Sequence, residues 1–449
     1  MPKVVIVAPY YEIVTSLWNP FLKGWVKNEL EKRGIGTILL WRDDANRQKL
    51  FQSVTDADVK GVLGAAHGWE SGIVGQYDQV LIKVGDKIGP EWRKICLNMV
   101  SCLVARELIP WLVQQGVPSA IGEVTEYIFT AEDKPREGNN PEEDRLLKYY
   151  LYSEYTFWFA MAQGFTAEEA YKLMIKEYYR QSKLAESVDE ETAYYVKYDA
   201  NNRKFFGDGK FRLIEGIETQ IQYDVITQRN AQDRFDSITI SGKVIAQSGV
   251  PTGKIYIEVN DKNTETEVPL NNDGSFTVTF TFDWDKNVET TYQITLIYEG
   301  DLSNKFLPKL EETEVKIEPT YIPTKIEITD IKTSRDASIV TFNITGKLTD
   351  VKGNPIPNKI VEVYVGDGEL YEETSKTDDK GIFTVTIEKS YPILQTKTTV
   401  IARFNGDDVY QSSSTTKIAT FSPNWEVIRT IAGAITIVAT AIAIILSLL

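Results

Sequence analysis

The sequence contains few of the residues from which disulfides and metal sites are built. Its 449 residues include two cysteines and one histidine. Cys96 and Cys102 lie 102 − 96 = 6 positions apart, a separation of roughly 20 Å in an extended strand, which is too far for a disulfide. A single histidine, His67, excludes a site with several histidine ligands, and no CxxC pair suggests zinc. We therefore expect no metal and no cofactor, and any chemistry that needs an imidazole must use His67.

Positive charge is also scarce. Lys and Arg number 49 against 64 Asp and Glu, which gives a formal net charge of −15, and no basic stretch reverses this balance locally. Because binding to phosphates requires clustered Lys and Arg, we expect no nucleic-acid partner.

Charge is missing altogether from the last part of the sequence, whereas the first part lacks the long apolar core of a signal peptide. Residues 430–449 carry no charge, and 449 − 430 + 1 = 20 helical residues span about 30 Å, the hydrocarbon thickness of a bilayer. We predict a transmembrane helix over residues 428–449, with Trp425 and Arg429 at the interface; the alternative is a buried core helix. The predicted localisation is a single-pass membrane protein with a C-terminal anchor. The missing signal peptide favours the cytosolic face, although immunoglobulin-like spacers are more familiar outside the cell.

Residues 1–215 alternate short apolar runs with helical patterns, which is typical of a parallel sheet covered by helices on both faces. The predicted strands are residues 3–8, 36–41, 59–66, 94–101 and 119–124. The predicted helices are residues 19–33, 46–53 and 103–115, followed by a mostly helical stretch from 141 to about 184. A capping box at Thr166 and Glu169 predicts a helix start after Thr166, and residues 204–213 are predicted to form a hairpin.

From about Asp236 the pattern changes to apolar–polar alternation of period two, which is typical of an all-β sandwich. This part is internally repeated, because residues 240–244 match 344–348, 273–279 match 380–386 and 298–301 match 404–407. A period near 105 residues (346 − 242 = 104) is the length of one immunoglobulin-like domain. The predicted organisation is therefore an α/β domain over 1–215, a linker over 216–235, immunoglobulin-like domains over 236–320 and 324–421, and the transmembrane helix.

His67 and Cys102 each stand at the carboxyl end of a predicted strand. In a parallel α/β sheet these ends share one edge, where ligands bind, so we expect the imidazole and the thiol to meet there. A helix predicted to start just after Cys102 would favour its thiolate through the helix dipole. Gly68 lets the backbone approach a substrate closely, so its N–H is a candidate oxyanion donor together with the N–H of Cys102.

Four segments in this order resemble the caspase/gingipain clan of cysteine peptidases. They are Gly64-Ala65-Ala66-His67-Gly68-Trp69, Asn98-Met99-Val100-Ser101-Cys102, residues 106–113 and residues 119–123, and residues 157–159, 164–170 and 206–213 are similar to the closing segments of gingipain-like domains. The resemblance covers roughly residues 3–214. It implies a caspase-like α/β fold with His67 as general base or acid, Cys102 as nucleophile, and Gly68 with Cys102 as oxyanion donors. Gly209 departs from the Gly-Asp-Pro that usually closes such domains, which bears on the end of the fold and not on the dyad.

Substrate contacts are less well defined by the sequence. Glu123 follows a strand beside the nucleophile and would favour Arg or Lys if it lined the pocket; the alternative is a solvated loop carboxylate. Trp69 either packs against substrate or fills its loop. The charged run over residues 132–145 is either a flexible, self-processing loop or simply solvated. Asp301 and Asp407 are interpreted as turn residues, with calcium ligation as the alternative.

The function predicted from these features is that of a membrane-anchored cysteine endopeptidase. Cys102 would attack the peptide carbonyl, and water would hydrolyse the resulting thioester. The expected partner is a peptide or protein substrate, besides the membrane. The alternatives are a catalytically inactive, peptidase-like adhesion or scaffold protein that binds peptides or a partner protein, and a regulated protease with one protein target. As Cys96 lies inside a strand, it is interpreted as a small buried hydrophobe.

Overall fold

A computed structural model describes residues 1–132, 134, 136–260, 265–366 and 373–448. Parts of the charged run, of both predicted immunoglobulin-like domains and of the predicted transmembrane helix therefore lie outside the described residues. The chain divides into two compact units. The first comprises Met1–Asp224, Ile240–Val278 and Gln293–Glu314, and the second comprises Val225–Thr239, Thr279–Tyr292 and Val315–Leu449.

A six-stranded sheet forms the centre of the N-terminal part. The strands up to residue 207 are β1 (Lys3–Ala8), β2 (Gly36–Trp41), β3 (Val59–Ala65), β4 (Gly68–Trp69), β5 (Gly72–Val74), β6 (Val80–Lys83), β7 (Cys96–Val100), β8 (Ser119–Glu123) and β9 (Arg203–Gly207). The sheet has the order β2-β1-β3-β7-β8-β9, in which only β9 is antiparallel to its neighbour, while β4, β5 and β6 form a small antiparallel sheet of their own.

Helices lie on both faces of this sheet. They are α1 (Ile13–Phe21), a π-helical turn (Leu22–Val26), α2 (Lys27–Lys32), α3 (Arg47–Val54), α4 (Leu108–Gln114), α5 (Lys148–Gln163), α6 (Ala167–Ala185) and α7 (Glu190–Asn202). Successive residues of β1 point to opposite faces, so Val4 and Ile6 join one apolar core with α1, α5 and α6, whereas Val5 and Val7 join a second core with α3 and α4.

The strands after residue 215 form four antiparallel sheets. They are β10 (Thr219–Asn230), β11 (Phe235–Ala246), β12 (Lys254–Val259), β13 (Glu265–Pro269), β14 (Ser275–Asp283), β15 (Thr290–Tyr298), β16 (Lys309–Ile317), β17 (Thr324–Asp336), β18 (Ile339–Asp350), β19 (Ile360–Val365), β20 (Glu373–Lys376), β21 (Ile382–Ser390), β22 (Lys397–Phe404) and β23 (Ser413–Thr420). The orders are β10-β11-β14 with β13-β12-β15-β16, then β17-β18-β21 with β20-β19-β22-β23. The same order therefore occurs twice, as the sequence repeat predicts.

The predicted fold class is wrong for the chain as a whole. β-Sandwich sheets account for most of the described chain and the helical part is small, because between α7 and α8 (Trp425–Leu448) the described regular elements are strands, apart from one 3₁₀ turn at Leu302–Asn304. The predicted hairpin over 204–213 is also absent, since β9 pairs with β8 and the chain beyond Gly207 is not a strand.

The predicted transmembrane helix and single-pass membrane localisation are contradicted as well. Across the residues that could be described, no helix is long and apolar enough to cross a membrane. Helix α8 begins with Glu426 and Arg429 in its first turns. It also includes Thr430 and Thr436, whose hydroxyls hydrogen-bond to the carbonyl four residues earlier.

Candidate active site

Three side chains that are able to take part in acid–base or nucleophilic chemistry follow three neighbouring strands of the central sheet. Glu12 comes after β1, His67 after β3 and Cys102 after β7, and these strands are adjacent and parallel. The pairing of Ala65 with Val100 continues with a hydrogen bond from Ala66 N–H to Val100 O (3.0 Å). Two residues after that register pair, His67 and Cys102 leave the sheet side by side.

His67 and Cys102 line one small cleft at this edge. Its walls come from the first turns of α1, from the ends of β3 and β7, and from the loop after β8. The other lining residues are Val14, Thr15, Trp18, Ala65, Ala66, Val100, Ser101, Tyr127 and Phe129. The imidazole is reachable from solvent, because 41% of its side-chain surface is exposed.

Glu12 orients the imidazole. Its Oε1 lies 3.4 Å from His67 Nε2, and its two carboxylate oxygens also accept hydrogen bonds from the backbone N–H groups of Val14 and Thr15 (both 2.6 Å), as the N-cap of α1. Burial acts to raise the pKa of Glu12, but the hydrogen bonds from Thr15 and Val14 and the charge of His67 outweigh it and lower the pKa. The carboxylate is therefore ionised at neutral pH.

Cys102 is held as a neutral thiol in the resting protein. Burial raises its pKa, and the charges of Glu126 and Glu123 act in the same direction, against a hydrogen bond from the N–H of Tyr127. The predicted helix start beside Cys102 is wrong, because α4 begins only at Leu108. A dipole from that helix therefore does not offset the burial of the thiol, which needs a base to ionise it.

Between Cys102 and α4 the chain turns sharply. Leu103 has a positive φ of 64°, a conformation that is uncommon for a residue with a Cβ. Hydrogen bonds across the turn hold it, since Leu103 N–H donates to Thr125 O (2.8 Å) and Ala105 N–H to Glu123 O (2.9 Å). The turn thus fixes the backbone on both sides of the thiol.

Gly68 packs directly against the cysteine turn. A Cβ at this position would overlap Ser101 Oγ and lie 3.0 Å from Cys102 O, so only glycine fits. Val74 N–H donates to His67 O (3.0 Å), which makes Gly68 and its partner Ile73 a non-hydrogen-bonded pair in the β4–β5 ladder. The ladder therefore leaves the N–H of Gly68 without a strand partner.

Glu123 does not reach the cleft. Its side chain is fully buried, and its Oε1 lies 3.2 Å from Nη1 of Arg203, which is fully buried as well. Arg203 also bonds Glu154 and Asn98. Burial raises the pKa of Glu123, and the charge of Arg203 acts in the opposite direction. The carboxylate is thus part of a buried ionic network beneath the sheet, and a substrate has no access to it.

Trp69 packs onto its own hairpin. A Cβ at Gly72 would overlap the indole ring of Trp69, so the ring covers the backbone of Gly72, and Trp69 is not among the residues that line the cleft. This placement agrees with the interpretation that Trp69 fills the loop.

Several hydrogen bonds and an ion pair hold the charged run after residue 131 in place. Glu143 accepts hydrogen bonds from the four backbone N–H groups of residues 137–140 (2.8 to 3.1 Å), and Arg136 forms a buried ion pair with Asp144. In its described residues, this segment offers no free loop for self-processing.

The two acidic turn residues considered for calcium have protein partners. Asp301 accepts hydrogen bonds from Thr252 and Ser303, and Asp407 lies 2.6 Å from Lys359. No group of three or more potential metal ligands occurs among the residues that the structure describes.

Sequence reasoning missed Glu12 and the aromatic wall of Tyr127 and Phe129. Glu12 follows β1 by four positions (12 − 8 = 4), and β1 is the parallel neighbour of the strand that carries His67. An acidic residue shortly after a strand that ends at the same sheet edge as His67 is the sequence feature from which Glu12 could have been predicted.

No protein-family model and no curated protein matches this sequence. Among solved structures, the chain is similar to a tetra-tandem repeat in the extending region of a large adhesion protein, with 17% identity, a TM-score of 0.22 and coverage of 46% of this chain and 49% of that chain. A DUF3823 family protein from Bacteroides ovatus matches with 14% identity, a TM-score of 0.15 and coverage of 41% and 98%. Beta-glucuronidase 3 of Bacteroides uniformis matches with 13% identity, a TM-score of 0.14 and coverage of 40% and 22%. The chain spans about half the length of the adhesion-protein structure, and likenesses of this strength carry no argument about function.

Proposed function

We propose that this chain is a cysteine endopeptidase in which Cys102 is the nucleophile, His67 the general base and acid, and Glu12 the residue that orients His67. One observation carries the proposal: an acid, the single histidine and a cysteine follow three neighbouring parallel strands, and the histidine and the cysteine line one cleft. The mutual order of nucleophile, base and orienting carboxylate is the arrangement that nucleophilic catalysis requires.

Attack begins with a proton transfer. His67 accepts the proton of the Cys102 thiol, and Glu12 stabilises the imidazolium that results, since its carboxylate already faces Nε2. The thiolate forms a bond to the carbonyl carbon of the substrate. The carbonyl oxygen, now an oxyanion, is stabilised by the N–H groups of Gly68 and Cys102, which the strand ladders leave unengaged.

Collapse of this intermediate breaks the C–N bond. His67 donates its proton to the departing amine, and the acyl group stays on Cys102 as a thioester. Water then attacks the thioester and gives its proton to His67, and the thiolate leaves as the second product becomes a free carboxylic acid. Cys102 stays protonated until His67 takes its proton, because burial holds the pKa of Cys102 above its ordinary value.

The competing function is peptide binding without catalysis. The raised pKa of Cys102 is the observation that favours it, because an unreactive thiol in an apolar wall is a common structural residue. The two functions differ in covalent chemistry at position 102.

A peptidyl probe with a thiol-reactive group separates them. The endopeptidase predicts that the full chain labels at Cys102 at least 100-fold faster than a short cysteine peptide in solution, and that Cys102→Ala does not label. Labelling no faster than that of the cysteine peptide, or equal labelling of Cys102→Ala, would overturn the enzymatic proposal.

A further inference from the structure

The walls of the cleft beside Cys102 are uncharged. Apart from His67, its lining consists of aliphatic, aromatic, alanine, serine, threonine and cysteine side chains. Within the described part of the chain, no carboxylate lines the cleft. Glu126, next to Tyr127, is exposed to solvent, Glu12 accepts from the N–H groups of Val14 and Thr15 and lies 3.4 Å from His67 Nε2, and Glu123 is buried against Arg203. A basic substrate side chain would enter this space without a counter-ion in its lining, and an acidic one would find only His67, whose Nε2 already faces Glu12. Both are unfavourable.

The cleft is also small. It holds about 40 Å³ of free space, and since roughly 10–15 Å³ admits one water molecule on this measure, about three heavy atoms fit. That is the size of a valine side chain, and the smaller alanine fits as well, whereas arginine has more than twice as many side-chain heavy atoms.

Buried anchors prevent the walls from moving apart. Trp18 is 1% exposed and donates from Nε1 to Tyr155 OH (2.7 Å), and its ring meets the rings of Tyr127 and Phe129 edge to face at 5.7 and 5.2 Å. Tyr127 bonds Tyr178 OH (2.9 Å). The aromatic wall is therefore part of the core, and a larger side chain cannot be admitted by a simple rotamer change.

We infer that this cleft receives the side chain of the substrate residue whose carbonyl carbon is attacked, and that it selects a small apolar residue, alanine or valine. The inference rests on the proposed function. It adds the substrate class and excludes the basic preference that Glu123 would have conferred had it lined the cleft.

The test uses four peptidyl probes with one thiol-reactive group, identical except for alanine, valine, arginine or aspartate next to that group. Intact-mass spectrometry gives the rate at which each labels Cys102 in the full chain, with Cys102→Ala as the reference for labelling elsewhere. The expected result is that the alanine and valine probes react at least 100-fold faster than the arginine and aspartate probes.

A paired substitution checks that the cleft sets this order. Val14 lines the cleft and is 38% exposed, and its neighbour Ile13 is 65% exposed and is not among the residues that line the cleft. Val14→Asp places a carboxylate in the wall and should raise the rate of the arginine probe at least tenfold, whereas Ile13→Asp adds the same charge outside the wall and should leave the order unchanged.

The outcomes distinguish a failure of this inference from a failure of the proposed function. Fast, Cys102-dependent labelling with equal rates for all four probes, or with arginine or aspartate preferred, overturns the inference and leaves the proposed function intact. Labelling by all probes at the rate of a free cysteine peptide overturns the proposed function, and the inference with it.

Discussion

Glu12 has two separate duties, as the N-cap of α1 and as the partner of His67 Nε2. Glutamine keeps an acceptor for the backbone N–H groups of Val14 and Thr15 but removes the negative charge. We expect Glu12→Gln to lower kcat by roughly 10- to 100-fold, within the range of general-base effects, and to change the unfolding free energy by less than about 1 kcal/mol.

Glu12→Ala serves as the comparison, because it removes both duties and should also cost about 1 kcal/mol of stability through loss of the cap. Peptidase assays over pH together with urea unfolding measure the two effects. Wild-type kcat in Glu12→Gln would contradict the orienting role.

Glycine is required at position 68 because neighbouring atoms leave no room for a Cβ, and not because of its backbone conformation. A Cβ there overlaps Ser101 Oγ and approaches Cys102 O to 3.0 Å, so we expect Gly68→Ala to lower activity at least 100-fold and stability by about 1–3 kcal/mol. Ser101 Oγ is buried without a hydrogen-bond partner. Ser101→Ala alone should therefore be nearly neutral, and the double variant should recover part of the lost stability. Additive effects of the two substitutions in urea unfolding would contradict this packing.

The residues of the proposed site could be predicted from the sequence only where their residue type is scarce. One histidine and one cysteine at strand ends direct attention to themselves, whereas Glu12 is one of 64 acidic residues and its role depends on which strands are neighbours. Glu123 shows the reverse problem. Its position after β8 is correct, but the sequence gives no indication that Arg203, 203 − 123 = 80 residues later, pairs with its carboxylate beneath the sheet.

At the scale of elements, the segment from Ile13 to Lys32 contains a π-helical turn at Leu22–Val26. The N–H of Trp25 donates out of the turn to Gly138 O (2.8 Å), so the loop after β8 is docked onto the helix that carries Glu12 and one wall of the cleft. π-Turns of this kind often occur at functional sites. The docking joins two of the cleft's walls.

Gly24→Ala tests this docking. Its Cβ would overlap Gly138 O, and we expect a loss of about 1–3 kcal/mol and faster hydrogen exchange of the Trp25 amide. Gly433→Ala is the matched control, because a Cβ there meets no atom within 4 Å and alanine favours a helix. Unchanged exchange at Trp25 in Gly24→Ala would contradict the contact.

Strands were easier to predict than helices. The predicted strands 3–8 and 36–41 agree with β1 and β2, and the capping box at Thr166 and Glu169 is present at the start of α6. The helix predicted over 103–115 begins five residues late because of Pro110. A start at 108 puts Pro110 in the first turn, where its missing N–H is not needed, whereas a start at 103 would put it in the interior. Helix α7 was missed, although Asp189 caps it through Thr192 N–H (2.7 Å).

On the scale of the whole molecule, composition led to the wrong prediction of a membrane anchor. The uncharged run after residue 429 suggested an anchor, but within the described residues no helix is sufficiently long and apolar to cross a membrane. The repeat near 105 residues was a firmer guide, because matched strands and turns recur in two successive pairs of sheets with one strand order.

Buried tyrosine side chains limit the stability of the folded protein at alkaline pH. Burial raises the pKa of Tyr127, Tyr155 and Tyr178 well above the ordinary value. These groups ionise in the unfolded chain near pH 10 but stay neutral in the folded protein, so stability is complete below pH 10 and is lost as pH rises towards the folded pKa. We expect the unfolding free energy to fall by about 1.4 kcal/mol per pH unit for each such tyrosine.

Urea unfolding from pH 8 to 11 measures this slope. Tyr155→Phe should reduce the slope of the unfolding free energy against pH by the contribution of one tyrosine. Tyr194→Phe, at a position that is 64% exposed, should leave the slope unchanged. Equal slopes in the two variants would contradict the assignment of the alkaline limit to buried phenols.

Whether His67 and Cys102 act together is tested most directly by the rate of Cys102 alkylation by iodoacetamide over pH 5–10. The measurement uses the Cys96→Ala background, where only one thiol remains, with and without His67→Ala. We expect the protein with His67 to react at least tenfold faster at pH 7, and His67→Ala to move the rise in rate to alkaline pH because burial then holds the thiol neutral. Superimposable pH curves for the two proteins would show that imidazole and thiol do not act together, and the proposed pair would then be wrong.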